Sequence, residues 1–198
     1  MSRQKLTHLY IDGQNFISKI RGILVRRGIK DPDITKFDFW GMLNEKFKKE
    51  NVDLAAFYGA RVLPHEETKE KSEELLIRQQ ELQEHLQQQG FKYVLSGIVR
   101  AQVKSGEVRF VEKGVDVKIA IDAVVDVLKN SVGKVILATS DSDLQPAVKQ
   151  LHELGADVVY MGFRNRPNQG LIKTTDRYIL ISNDDVVKFY PQSSTKKN

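Results

Sequence analysis

Asp12, Asp116, Asp141 and Asp143 are the side chains of this sequence best placed to do chemistry, because each stands where a strand-like run meets a helix-like one. Asp12 closes the apolar run LTHLYID (6 to 12), Asp141 and Asp143 follow KVILATS (134 to 140), and Asp116 opens the apolar stretch VDVKIAIDAVVDVL (115 to 128). Carboxylates gathered in one place repel one another unless they share a cation. All-oxygen ligation selects Mg²⁺ or Mn²⁺ over zinc or copper. Such a site suits phosphodiester hydrolysis: the metal polarises a phosphoryl oxygen, lowers the pKa of an attacking water and neutralises the leaving oxygen. Singly, each aspartate also has a plain reading as a helix cap or a favourable charge in a first helical turn. Their recurrence at three strand–helix junctions is what favours a shared site. Asn15 either orients a water or phosphate or stabilises the turn after Asp12. Further along the helix of Asp116, Asp122 is read as an additional acid near the site and Asp126 as facing solvent.

The elements that must position these residues alternate. After the first strand, Phe16 to Val25 has helical periodicity; 36 to 50 reads as a helix with Thr35 as N-cap, and 53 to 62 as a second strand. From His65 to Gln89 a Glu/Gln/Lys-rich segment carries the stripe Leu75, Leu76, Leu82 and Leu86 up to Gly90, a long surface helix whose stripe is too short for sustained heptads. FKYVLSG (91 to 97) reads as a third strand, followed by an inserted polar, basic hairpin, IVRAQV and EVRFVEK around Lys104-Ser105-Gly106. After KVILATS come a helix over 143 to 154 and a strand at ADVVYMG (156 to 162). Beyond 164 the pattern weakens to a loop, a short helix at LIKTTDRY, a short edge strand at ILIS and a frayed basic end. Strands alternating with helices imply an α/β fold with a parallel, doubly wound sheet. Ligands of such sheets bind beyond the strand carboxyl ends, where strand order reverses. The expected organisation is one domain over 1–190 with a flexible basic tail at 191–198.

Composition narrows the chemistry. With 198 residues, 40% hydrophobic and 29% charged, the chain is ordinary for a globular protein. It has no cysteine, which excludes disulfides, zinc–thiolate clusters, iron–sulfur centres and thiol nucleophiles. No stretch approaches about 18 uninterrupted apolar residues, and the N-terminus lacks a long apolar h-region, so no membrane association and a cytoplasmic location are the expectations. The net charge is +5. It is concentrated at Lys19, Arg21, Arg26, Arg27 and Lys30, and again at Arg100, Lys104, Arg109 and Lys113, as candidate contacts to a polyanion.

Three blocks, IDGQN (11 to 15), KGVDVKIAIDAVVD (113 to 126) and ATSDSDLQPAVKQLHELGADVVYMGF (138 to 163), closely resemble the NYN domain of the LabA/DUF88 type, a branch of the PIN-like nucleases. The resemblance spans most of the chain, in order and spacing. It implies a PIN-like three-layer α/β/α sandwich with a central, mainly parallel sheet, a divalent-metal site and RNA as the substrate class. Carried over by position, Asp12, Asp116, Asp141 and Asp143 resemble the acidic cluster, Asn15 the family's asparagine and Asp122 the further helix acid. The family often has Ser-Gly-Asp-Ser-Asp where this chain has Thr139-Ser140-Asp141.

The leading expectation is therefore an Mg²⁺- or Mn²⁺-dependent endoribonuclease acting on single-stranded RNA, with Lys19, Arg21, Arg26, Arg27, Arg100, Lys104, Arg109 and Lys113 along the backbone. A non-catalytic RNA-binding or regulatory protein of the same fold is the alternative. A phosphatase or nucleotide hydrolase is a third reading, weakened by the absence of Walker-type and G-x-G-x-x-G motifs. A homodimer through the Gln-rich helix stays open.

Overall fold

The computed structural model describes residues 5–48, 50–63, 69–104 and 107–191, with the side chains of 100–104 and 107–109 outside the description. The expected basic tail lies, apart from Pro191, outside the described residues.

Continuous apolar runs become the inner strands. β1 (Leu6–Asp12), β2 (Leu54–Val62), β5 (Val132–Ala138) and β6 (Asp157–Phe163) are buried almost throughout, as strands covered on both faces must be. With β3 (Lys92–Lys104), β4 (Glu107–Lys113) and β7 (Arg177–Ile181) they form one seven-stranded sheet in the order β4-β3-β2-β1-β5-β6-β7. Only the β3–β4 pair is antiparallel. The α/β fold is consistent with a PIN-like sandwich.

Alternation along the strands divides the core in two. Leu9, Ile11, Ile136 and Met161 face α1 (Gly13–Arg26), α2 (Phe39–Lys46), α3 (Lys69–Gln88) and α7 (Asn183–Lys188), whose contributions include Ile20, Met42, Leu86 and Val186. Tyr10, Val135, Leu137 and Tyr160 face α4 (Val115–Lys129), α5 (Gln145–Glu153) and α6 (Gln169–Thr174) through Ile119, Val148 and Leu171. Each fully buried apolar side chain of this size is worth about 1.5–3 kcal/mol of burial. In α3, Leu86 is in the core and Leu82 packs against it.

Several local expectations change. Thr35 caps no α-helix: Asp33 caps a 3-10 turn at Ile34–Lys36, and Asp38 caps α2 by accepting from the Gly41 N–H at 2.7 Å. The expected hairpin forms ahead of α4, but its first arm is continuous with the third strand: β3 runs from Lys92 to Lys104 and pairs antiparallel with β4. A 3-10 turn at Ser142–Leu144 precedes α5, where Pro146 occupies the first turn and suits a helix start. The expected helix at LIKTTDRY divides into α6 and the strand β7, and a Ser182–Asp185 capping box starts an additional helix, α7.

A polar layer beneath α4 comes from β1, whose even-numbered side chains share one face. Tyr10 donates its hydroxyl to Asp126 Oδ2 at 2.7 Å, His8 Nδ1 lies 3.2 Å from the same oxygen, and Asn130 donates to Oδ1. Asp126 thus faces the sheet, not open solvent as expected. Burial alone would raise its pKa, but the Tyr10, Asn130 and His8 hydrogen bonds together hold it below the usual carboxylate range. A depressed carboxylate contributes stability that is complete above the unfolded pKa, about 3.9, and vanishes as pH falls through the lower folded value. Thermal melts should accordingly show wild type above Asp126→Asn at neutral pH, with the gap closing below about pH 4. A gap independent of pH between 3 and 7 would contradict this account.

A candidate acidic site at the sheet switch point

β1 pairs in parallel with β2 on one side and β5 on the other, so strand order reverses between β1 and β5. Asp12 ends β1, and Thr139, Ser140 and Asp141 follow the end of β5. The expected crevice is therefore formed. Asp12 is 4% exposed and caps α1, accepting from the Asn15 N–H at 3.1 Å. Its other oxygen accepts from the Asn15 amide and from the Thr139 hydroxyl, 3.2 Å away. Ser140 Oγ donates to Asn15 Oδ1 at 3.0 Å, and the Thr139 hydroxyl accepts from the Asp141 N–H at 3.0 Å. The two residues that depart from the usual family pattern thus tie β5 to Asp12 and Asn15.

One cleft is lined by Asp12, Asn15, Glu112, Lys113, Asp116 and Asp141, among others. Gly114 allows its approach: at φ +88° it takes the left-handed conformation that joins β4 to α4 and sets Asp116 in the first turn. The cap reading is literally true of Asp12 and of Asp141, which accepts from the Asp143 N–H at 2.9 Å, yet both also line the cleft.

The structure does not bring Asp143 into this cleft. The 3-10 turn leaves it exposed, lining a neighbouring depression with Gln145, Lys149 and His152. Asp122 is likewise elsewhere. It accepts from the Tyr58 hydroxyl at 3.0 Å and from Lys118, within the layer beneath α4. Burial and the nearby Asp122 carboxylate push the Tyr58 hydroxyl pKa far up, so it stays a donor.

Glu112 was missed as a site residue. It sits on β4 opposite Val99 and accepts from the Ala60 N–H, where the β2–β3 register shifts. The sequence signal was its place one residue before the K-G-V-D block. Burial pushes its pKa up to about 7, with the Asp12 and Asp116 charges adding to the shift against the Ala60 hydrogen bond. Burial also raises Asp12, opposed by hydrogen bonds from Asn15 and Thr139 and reinforced by the Asp141 charge. The cleft therefore concentrates negative charge at a cost that a cation relieves. Among the described residues no three His, Cys, Asp or Glu side chains stand close enough to enclose a metal ion. The donor set suits a hard cation that keeps part of its water shell, as Mg²⁺ does.

Of the expected basic contacts, Lys113 lines the cleft and Lys19 lines the adjoining groove with Asn15, Ser140 and Arg166. Arg166, not singled out from sequence, joins them through its place after β6. Arg21 lies in a separate depression against α3. Arg26 and Arg27 end a 14-residue helix, about 20 Å from Asp12, and Arg27 pairs with Asp184 at 2.6 Å. They stand away from the cleft. The side chains of Arg100, Lys104 and Arg109 lie outside the described ones.

A largely parallel α/β sandwich with an acidic cleft at its switch point is consistent with a PIN-like domain. The chain belongs to the NYN domain family, of the PIN-like nuclease superfamily, whose model matches residues 7–182. No curated protein matches the chain. A crystal structure of a protein of unknown function from Vibrio parahaemolyticus RIMD 2210633 is similar, with a TM-score of 0.60 at 19% identity, over 93% of this chain and 97% of that one. At that identity the likeness concerns the fold alone. No helix among the described residues is long and apolar enough to cross a membrane.

Proposed function

We propose that the chain is a metal-dependent endoribonuclease that hydrolyses single-stranded RNA in the cleft at the switch point, in a cytoplasmic setting. The observation that carries this reading is the convergence of Asp12, Glu112, Asp116 and Asp141 on one cleft, from β1, β4, α4 and the end of β5. These four residues would hold Mg²⁺ or Mn²⁺, ions that keep several of their waters when bound. When bound, such an ion polarises the phosphoryl oxygen and lowers the pKa of an attacking water.

The chain's own groups do the positioning. Thr139 and Asn15 hold the Asp12 carboxylate in one orientation, and Ser140 fixes the Asn15 amide from the opposite side. Lys113 on one flank, with Lys19 and Arg166 on the other, places cationic groups where flanking phosphates would lie. Asp143 and Asp122 have no direct part in this arrangement.

The test is cleavage of a mixed-sequence labelled RNA by purified protein with Mn²⁺, Mg²⁺ or EDTA, beside Asp141→Asn prepared in parallel. Cutting that needs metal and disappears in the variant supports the nuclease. Retained RNA and metal binding without cutting by either protein would replace it with the non-catalytic RNA-binding reading.

A further inference from the structure

A second cavity opens beside the acidic cleft, on the α1 and α3 side of the sheet, with a volume of about 250 Å³. Its walls come from the start of α1, the second half of β2, the α3 face around Leu75 and Gln79, and the β3–β4 ribbon. Tyr93 and Phe110 contribute half-buried rings, and the enclosed Phe57 backs Tyr93 with a nearly parallel ring, 6.3 Å between centroids and 13° apart in plane. Gln14 and Glu112 line both this cavity and the acidic cleft, so the two spaces adjoin at these side chains.

We infer that this cavity receives a nucleobase of the bound strand, one nucleotide from the phosphate held in the acidic cleft; the inference rests on the proposed nuclease reading. Three features select a base over other occupants. Aromatic and aliphatic walls match the faces of a flat heterocycle, which stacks on aromatic side chains with little regard for sequence. The described lining includes the Glu112 carboxylate, which disfavours a phosphate relative to an uncharged heterocycle. The polar groups occupy the walls where the edge of a base would reach. Gln79 is fixed by bonds to the Ala60 carbonyl and from the Val62 N–H, and the Gln14 carboxamide lies against Glu112, its nitrogen reaching Oε2 at 2.8 Å once the amide is turned to donate. These carboxamides and the carboxylate provide donors and acceptors for a base edge.

Saturation-transfer NMR on the full chain in EDTA, with adenosine, uridine and ribose 5-phosphate as separate probes, tests the assignment. Saturation is expected on the base protons of at least one nucleoside and not on ribose 5-phosphate. Leu75→Trp, which fills the cavity from α3, and Phe110→Ala, on the edge strand, should each weaken nucleoside binding about tenfold, with melting curves confirming the fold. An absent base signal in wild type, or an undiminished one in whichever folded variant is obtained, would overturn the proposal. Because EDTA removes any metal-dependent step, the two readings fail separately. Nucleoside binding without RNA cleavage under Mn²⁺ would leave the cavity assignment standing alone, and cleavage without nucleoside binding would remove it and keep the nuclease.

Discussion

Replacing Asp12 by Asn should lower metal-dependent RNA cleavage by about 10³-fold or more, whereas Asp143→Asn should cost less than about fivefold. The two residues looked equivalent from their junction positions, and the contrast follows from their surroundings. Asp12 is 4% exposed at the centre of the cleft, its two oxygens held by Asn15 and Thr139. Asparagine preserves its shape but removes the charge that attracts a cation. Asp143 is exposed and lines a different depression, joined to the site only through its backbone N–H on Asp141. Initial rates for both variants against wild type, at saturating Mn²⁺ and with circular dichroism to confirm folding, measure the difference. Equal losses would mean that Asp143 turns inward when substrate binds and that the cleft has been wrongly delimited.

Gly13→Ala should destabilise the fold by about 3 kcal/mol and remove cleavage activity with it. Gly13 begins α1, immediately after the aspartate that ends β1. A Cβ there would collide with the carbonyl oxygen of Tyr58 and the ring of Phe57. The backbone of β2 cannot yield without disturbing its pairing with β1, and Phe57 is fully enclosed. Relief therefore requires α1 to lift from the sheet, which separates Asn15 from Ser140 just beyond β5. Urea unfolding gives the stability change directly. A midpoint equal to that of wild type would show that the first turn of α1 adjusts freely, and the close packing inferred at this junction would be wrong.

The inner sheet was legible because LTHLYID and KVILATS carry unbroken apolar cores, Leu9 to Ile11 and Val135 to Ala138, which strands covered on both faces tolerate. Placing Asp12 and Asp141 on a common crevice followed from strand polarity. Local turn geometry could not be read in the same way. Asp141 and Asp143 are separated by one serine, and only the 3-10 turn determines which of them faces the cleft. Glu112 depended on tertiary structure: β4 had to fold onto β3, and a register shift had to free the Ala60 N–H to meet it. Arg26 and Arg27 lie away from the cleft for a different reason: the length of α1 carries them to the far end of the sheet. The Ser182–Asp185 capping box was a readable local signal for α7, overlooked because the six-residue helix shows little periodicity.

The central position of β1 has a consequence for the order of synthesis. β1 emerges first, but its partner on one side, β5, begins only at Val132, and the intervening chain supplies β2, β3 and β4 to the other side. Throughout that interval the nascent sheet has an open apolar edge at its future centre, the arrangement most prone to strand exchange between neighbouring chains. Polypeptides released before Val132 should therefore be adhesive fragments rather than partly working proteins. Completion of β5 delivers Asp141 to the carboxylates and moves the open edge outward to β5 itself, which β6 and then β7 cover, so the site is assembled before the sheet is closed.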